Sequence, residues 1–476
     1  MPLSAQKIAS LVDGKTTESA TWEAEGLSTD TRTLGENQLF AALIGEKFDG
    51  HHFATNALEK GAAGLLVSRV VEGIPAEKQI IVPDTLEAMA TLGAKLRAGF
   101  RGRVIGITGS AGKTTTREGV KAVLSHFGKT YGTEKNYNNH IGVPITLCNM
   151  PDDADYAVYE CAMSAAKEIG HLTAMVKPDV ALITNIYPMH IEFFESLEGI
   201  AHAKAEIFEG LEKTGTAIYS KDANHADILR AKAEALGIEN ILTFGKNADI
   251  ALTSHTEENG QSHVEADVAG VPVSFTLSSP GLHRVYNALA ILAVVHALGL
   301  DAVKAAKHLD DVGLLAGRGK TTRLPLPHGR GHFTLIDESY SGQPEAMKLA
   351  IENLKNTTPE AGGRRIAVLG QMAELGAHSE AEHRAVGQAA AAAKLDLIIG
   401  VGEQVKPLLK EAEKSTDTIF KPTAKGLAED LLSQNLRNGD VVLVKGSRYG
   451  SRVFEAVDAL LAANSSANAP ANAATA

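Results

Sequence analysis

The chain has 476 residues, 44% of them apolar and 22% charged, an ordinary globular composition with room for about three domains at the usual ~150 residues each. That excludes a disordered chain and a collagen-like or disulfide-stapled scaffold. Set against 46 Lys and Arg, 57 Asp and Glu leave a net charge of −11, so no overall basic field invites nucleic acid or an anionic membrane. Cys148 and Cys161 form no CxxC pair or metal quartet and read as reduced thiols. The opening MPLSAQKIAS lacks a secretory pattern, and the longest apolar stretch, Ala288–Leu300, is broken by His296 and too short to span a bilayer. A cytoplasmic protein without membrane insertion or nucleic-acid partner is expected.

Short apolar runs at Gln38–Leu43, Gly64–Val67 and Gln79–Val82, with helical spacing over Phe53–Lys60, predict a small mixed α/β unit in residues 1–100. A second unit, residues 101–320, opens on the buried-strand pattern RVIGITG at Arg103, followed by helical periodicity through GKTTTREGVKAVLSHF. Strands at Ala154–Tyr159, Val180–Asn185 and Thr216–Ser220, with helices at Ala201–Leu211 and Gly281–Leu298, imply a mostly parallel sheet of the P-loop ATPase type. After Gly317-Arg318-Gly319 the rhythm restarts. Strands at Thr334–Asp337, Ile366–Gly370, Leu395–Val401 and Val441–Lys445 alternate with helices near Glu345–Leu354, Ser379–Ala393 and Val453–Ala462. This predicts a Rossmann-like unit over residues 321–462. The small polar tail, residues 463–476, is expected to be disordered.

GITGSAGKTTT at 106–116, between a strand and a helix, is the strongest local signal. Glycines let backbone N–H groups approach phosphate oxygens, and the helix N-terminus adds a favourable dipole. Gly109, Ser110, Ala111, Gly112, Lys113, Thr114 and Thr115 therefore form a candidate ATP cradle, with Lys113 on the β- and γ-phosphates and Thr114 on Mg²⁺. The spacing departs from the usual one, since Ile107 stands five residues before Gly112. Glu160 ends one strand and His190 follows another, at the sheet edge where open α/β folds bind ligands, so both are candidate metal ligands. Lys204 lies on the apolar stripe Ile200, Ala203, Ile207 and Leu211. Two readings stand: a lysine snorkelling to the surface, or a buried neutral amine able to add carbon dioxide and become a carboxylate-like metal ligand. HSEAEH, His378 to His383, has the wrong spacing for one metal-binding helix face and reads as a helix start.

The ordered series STDTR, FAALIGEKFDGHHF, GITGSAGKTTT, NYNNHIGVP, TNIYPMHIEFF, AKAEIF, LHRVYNALAI, GRGK, DESYSGQP, VLGQMAELG and LVKGSR resembles the Mur ligase family from about residue 25 to residue 460. Within the family it is most similar to the branch that adds D-alanyl-D-alanine. The resemblance implies an ATP-dependent ligase joining D-Ala-D-Ala to UDP-MurNAc-tripeptide through an acyl phosphate, with two Mg²⁺ ions, and a monomer. It implies that residues 1–100 bind the UDP-sugar, that Glu160, His190 and Thr114 hold metal, and that Lys204 is carbamylated. By the same resemblance His283, Asn287, Arg318, Asp337 and Tyr340 contact ATP. Asp30, Arg32, Asp49 and Gly50 resemble a uridine-nucleotide pocket, Asn136, Asn138 and Asn139 contacts to the muramyl end, and Lys445, Ser447 and Arg448 a carboxylate site for the incoming amine. Against the family pattern stand Ser164 for a carboxamide, Lys167 for a glycine, Ser341, Gly342 and Gln343 in an expected Asn-Ala-Asn stretch, and Gln371 for an aspartate. These leave two alternatives open, a paralogue coupling another amine to a nucleotide-linked carboxylate and a non-ligating nucleotide-binding regulator.

Overall fold

The computed structural model describes residues 2–467 apart from His190, Asn259, Val312, Leu314 and Tyr449. Its three larger sheets follow one another along the chain. Four short parallel strands, Leu27–Ser28, Leu39–Ala41, Gly64–Val67 and Gln79–Ile81, form the first in that order. Helix Thr85–Gly99 starts on Asp84, whose carboxylate accepts the Leu86 and Glu87 N–H groups. Met89 and Leu92 on its buried face join a core shared with Ile145 and Cys148, so the first sheet and the next are packed together. Asn149 adds a polar tie, accepting the Leu27 N–H at 3.1 Å and donating to the Leu27 carbonyl at 2.8 Å.

The second sheet has nine strands. From Thr130–Gly132 through Tyr156–Glu160, Arg103–Thr108, Val180–Ile183, Thr216–Ser220 and Asn240–Gly245 to Ile250–Glu258 all neighbours run parallel. Parallel strands buried on both faces read as continuous apolar runs, which is why Arg103–Thr108 and Val180–Ile183 stand out in the sequence. The antiparallel extension Ile250–Glu258, Gln261–Val268 and Val271–Leu277 was not expected. It alternates buried and exposed residues, with Ser262, Val264, Ala266 and Val268 turned inward, and its outer face is rich in Thr, His and Glu. Helix Leu282–Ala297 is buried along most of its length and crosses beneath this sheet. The single helix expected at Ala201–Leu211 is instead helix Leu197–Ala205, capped by Ser196, followed by a 3₁₀ turn over Glu206–Gly210.

The third sheet is ordered Lys320–Pro325, His332–Glu338, Val441–Lys445, Arg365–Gly370, Leu397–Val401, Asp417–Lys421, antiparallel in its first pair and parallel in the rest. Helices Pro344–Lys355 and Ser379–Ala393 cover one face, and the residues from Val453 to Leu460 cover the other. His383, within the HSEAEH stretch, is buried in helix Ser379–Ala393. Its Nε2 accepts the Met372 N–H at 3.0 Å, which leaves the proton on Nδ1 to reach the Ser379 carbonyl at 2.7 Å. The last helix, Phe454–Ala467, runs five residues into the stretch expected to be disordered, and residues 468–476 lie outside the described residues. No helix among the described residues is long and apolar enough to cross a membrane.

Asp440 anchors the middle of the third sheet. Its fully buried carboxylate accepts the Arg364 and Arg437 backbone N–H groups at 2.9 and 3.0 Å and pairs with the Arg364 guanidinium at 2.7 Å. Asp440→Ala leaves that guanidinium and two N–H groups without their acceptor, and a loss of about 3–5 kcal/mol is expected. Denaturant unfolding of the variant against the parent checks this.

Candidate active site

Strand Arg103–Thr108 leads directly into the glycine-rich turn and helix Lys113–Ser125. Gly109 and Gly112 hold φ at +147° and +76°, a region that side chains resist. A Cβ on Gly109 would overlap Thr184 Oγ1, and one on Gly112 would stand 2.7 Å from Asn287 Oδ1. The turn is strapped to the end of strand Val180–Ile183. Asn185 accepts the Ala111 N–H at 2.8 Å and donates to the Ala111 carbonyl at 3.0 Å, and Ser110 Oγ donates to the Tyr187 carbonyl at 2.9 Å. Lys113 folds back, its ammonium donating to the Gly109 carbonyl at 2.7 Å. Burial lowers the Lys113 pKa to about 8, with Glu160 opposing and the Arg318 charge adding to the shift.

Glu160 is the hub of the site. Its carboxylate, 2% exposed at the end of its strand, accepts Thr114 Oγ1 at 2.9 Å, Arg117 Nη1 at 3.1 Å and Asn138 Nδ2 at 2.9 Å. Three segments distant in sequence thereby meet on one carboxylate. Arg318, in the linker before the third sheet, donates to Thr114 Oγ1 at 3.0 Å and lies over the Tyr340 ring at 4.2 Å.

Lys204 is 2% exposed, and among the described residues its Nζ has no hydrogen-bond or ion-pair partner. Desolvation holds its pKa well below the ordinary lysine value, and the Lys113 charge acts in the same direction. A side chain this buried does not snorkel to the outer surface of the protein, and Lys204 lines the interior cavity instead. His190 lies outside the described residues.

Lys113, Thr114, Glu160, Lys204 and Arg318 face one cavity of about 1130 Å³ between the second and third sheets, which Arg117 does not line. Ser110–Thr115, Asn136, Asn138, Asn139, Glu160, Lys204, His283, Asn287, Arg318, Tyr340 and Lys445 line it. His283 Nδ1 is buried there without a partner, and burial lowers the pKa of this imidazole to about 4. Gly109 shapes the turn without lining the cavity.

Other expected site residues lie elsewhere. Asp337 is absent from the lining, its carboxylate accepting the Gly317 N–H at 2.6 Å and Ser339 Oγ at 2.6 Å. Its neighbour Glu338 faces the cavity and pairs with the buried Lys445 ammonium at 3.0 Å. Burial opposes ionisation of Glu338, but Lys445 and its neighbours win and hold its pKa below the ordinary value. Arg448 lies 4.3 Å over the Phe454 ring, and the Ser447 hydroxyl accepts the Gly450 N–H at 3.3 Å. Asp30 and Arg32 lie in the turn after strand Leu27–Ser28, Asp49 and Gly50 in the loop after strand Leu39–Ala41, and none of them lines this cavity. The Asp30 pKa is lowered to about 2 by hydrogen bonds from Arg32, and that of Asp49 is lowered by its pairing with Arg69. The Gly50 N–H is bound to the Leu43 carbonyl at 2.7 Å, with no room for a Cβ.

Sequence reasoning missed Arg117, Asn185 and Glu338. A signal existed for Arg117, since Thr114 and Arg117 are three apart and share a helix face.

Residues 23–97 match the Mur ligase family, catalytic domain; residues 107–295 the Mur ligase middle domain; and residues 323–448 the Mur ligase, glutamate ligase domain. The chain is 39% identical over 387 residues to the UDP-N-acetylmuramoyl-tripeptide–D-alanyl-D-alanine ligase of Escherichia coli, covering 80% of this chain and 82% of that protein. It is 35% identical to the Bacillus subtilis ligase of the same name, covering 92% of this chain and 93% of the relative. Among solved structures, MurF from Acinetobacter baumannii superposes with a TM-score of 0.84 at 29% identity, covering 97% of this chain and 99% of that one. The MurF ligase from Thermotoga maritima in complex with ADP gives 0.75 at 27% identity, covering 94% and 99%.

Gly342, one of the departures from the family pattern, is buried against the Gly446–Ser447 backbone, where a Cβ would stand 2.8 Å from the Gly446 carbonyl carbon and overlap the Ser447 nitrogen. Gly342→Ala is expected to destabilise the third sheet and its loops by about 1–3 kcal/mol, the range for overpacking. Thermal unfolding compared with a Ser341→Ala control checks this.

Proposed function

The chain belongs to the Mur ligase family, and we propose that it joins D-alanyl-D-alanine to UDP-MurNAc-tripeptide with cleavage of ATP to ADP and phosphate, forming UDP-MurNAc-pentapeptide for peptidoglycan synthesis. The observation carrying this reading is the convergence of Lys113, Thr114, Glu160 and Lys204 on one cavity, in a chain similar to these ligases over most of its length. The terminal carboxylate of the tripeptide attacks the γ-phosphorus of ATP, giving an acyl phosphate and ADP. The dipeptide amine then attacks the acyl carbon, phosphate leaves, and the amine proton is lost as the amide forms.

Nucleophile and phosphoryl group are both anionic, so this chain's part is fixed positive charge, geometry and exclusion of water. Gly109 and Gly112 give the turn the positive φ that brings its backbone to the cavity, and Lys113 is poised to turn from the Gly109 carbonyl to the β- and γ-phosphates. Thr114 and Glu160 form a hard-oxygen pair suited to Mg²⁺, with Arg117 and Asn138 keeping the carboxylate aimed. Bound Mg²⁺ would supply charge to the transferring phosphoryl group. His283, Asn287, Arg318 and Tyr340 are read as the nucleotide's other contacts, and Glu338 replaces Asp337 as the acidic residue facing it. Asn136, Asn138 and Asn139 are read as facing the muramyl end, and Lys445, which lines the cavity where Ser447 and Arg448 do not, the dipeptide carboxylate. His190 is read as a further metal ligand. Residues 1–100 are read as the UDP-sugar domain, 101–320 as the ATP domain and 321–462 as the ligase domain, in a cytoplasmic protein.

Lys204 is read as a carbamate in the working enzyme. Its buried amine is neutral more readily than an ordinary lysine, so it can attack carbon dioxide, forming an N–C bond and releasing one proton. The product places a carboxylate beside Lys113 in a cavity otherwise rich in cations.

With ATP, Mg²⁺ and UDP-MurNAc-tripeptide, phosphate release should depend on D-Ala-D-Ala and yield the pentapeptide by mass; release indifferent to the dipeptide would overturn the reading. Lys113→Met should lower kcat by about 10²–10³-fold, the loss expected for one transition-state charge contact. Lys204→Ala should fold normally and lose activity, with partial recovery in short carboxylic acids. Full activity in that variant would remove the carbamate.

A further inference from the structure

Helix Lys113–Ser125 carries the phosphate loop at its start and His126 at its end, roughly 20 Å away at 1.5 Å per residue. There His126 meets His308 and Asp311, which stand three residues apart beyond helix Ala302–Ala306. His126 Nε2 lies 2.8 Å and His308 Nδ1 2.9 Å from the same Asp311 oxygen, Oδ2. The two imidazoles are stacked, with centroids 3.5 Å apart and planes 16° from parallel. One nitrogen from each ring and one carboxylate oxygen all lie within 4.8 Å of one another.

We propose that His126, His308 and Asp311 form a binding site for a divalent first-row transition ion, separate from the catalytic magnesium. Two imidazoles and one carboxylate are the donor set of zinc and its neighbours, whereas magnesium prefers oxygen ligands and retained water. A tetrahedral ion with bonds of about 2.0–2.1 Å sets its donors about 3.3 Å apart and must lie in both ring planes, so binding requires one imidazole to swing out of the present stack, a rotation open to it because both rings are partly exposed. Each ring then presents the nitrogen now facing Asp311 as a lone pair, its proton carried on the other ring nitrogen. All three side chains are partly exposed, so the remaining coordination positions are open to water. The neighbouring cation, Lys304, is turned aside, its Nζ donating to the His126 carbonyl at 2.7 Å and lying over the Phe127 ring. An ion held there clips the far end of the phosphate-loop helix to the segment that follows helix Ala302–Ala306.

Cobalt(II) is the probe, titrated into the full-length protein at saturating Mg²⁺. One equivalent should bind with a visible d–d absorption band that zinc displaces, and zinc should raise the melting temperature. His126→Ala and His308→Ala should abolish both effects, and Asp311→Asn should weaken binding at least about tenfold. ATP turnover at saturating Mg²⁺ should be unchanged in all three. Metal-free melting temperatures of these variants and of His126→Gln separate loss of the site from loss of the fold. Absence of cobalt binding by the parent, or binding that persists in His126→Ala and His308→Ala, would overturn the proposal.

Discussion

A carboxylate taken out of water must be fully paired, and at Glu160 that requirement organises the site. Thr114, Arg117 and Asn138 reach it from the phosphate-loop helix and from the asparagine segment that follows strand Thr130–Gly132. Removing any donor leaves a buried charge short of a partner, so the three segments are held to one arrangement. Thr114 is thereby aimed at the cavity, and Arg318 reaches the same hydroxyl from the linker. The carboxyl edge of the second sheet and the entry to the third sheet are joined through the Thr114 side chain.

Positive charge is the second constraint. Lys113, Lys204, Arg318, Arg284 and Lys445 surround a single cavity, an arrangement that burial and mutual repulsion both disfavour. The protein answers it differently at each position. Lys445 is paired with Glu338, Arg318 lies over Tyr340, and Lys113 is folded onto backbone carbonyls. Among the described residues Lys204 has none of these, and desolvation lowers its pKa well below the ordinary lysine value. An anionic nucleotide and an acyl group carrying developing phosphate charge are the ligands this field suits.

The departures from the family pattern separate into two kinds. Ser164, Lys167 and Ser341 line the cavity, so they are the departures that change its wall. Lys167 holds the positive φ of 71° that its glycine counterpart would adopt without strain, and its exposure together with a 2.7 Å hydrogen bond from its N–H to Glu206 makes this tolerable. Gln371 does not line the cavity. It donates to the Gly450 carbonyl at 3.1 Å and accepts the Gln404 N–H at 3.3 Å, a scaffolding role in which its amide supplies both donor and acceptor. Gly342 is demanded by the close approach of the Gly446–Ser447 backbone.

Local patterns were enough for much of this protein. The parallel strands are apolar without interruption because both their faces are covered, and the glycine-rich turn between strand and helix is contiguous, so its place at Gly109 to Thr115 could be read from residue order. Lys204 was conspicuous because it falls on an apolar stripe. The antiparallel strands from Ile250 to Leu277 were not legible, because one face is solvated and their composition resembles loop. Pairing across distance was equally hidden. That Arg117 and Asn138 share Glu160, that Glu338 rather than Asp337 faces the cavity, and that His126 meets His308 were decided by tertiary structure. Periodicity records which residues are buried, whereas the partner of a buried or clustered polar group depends on which segments the sheet order brings side by side.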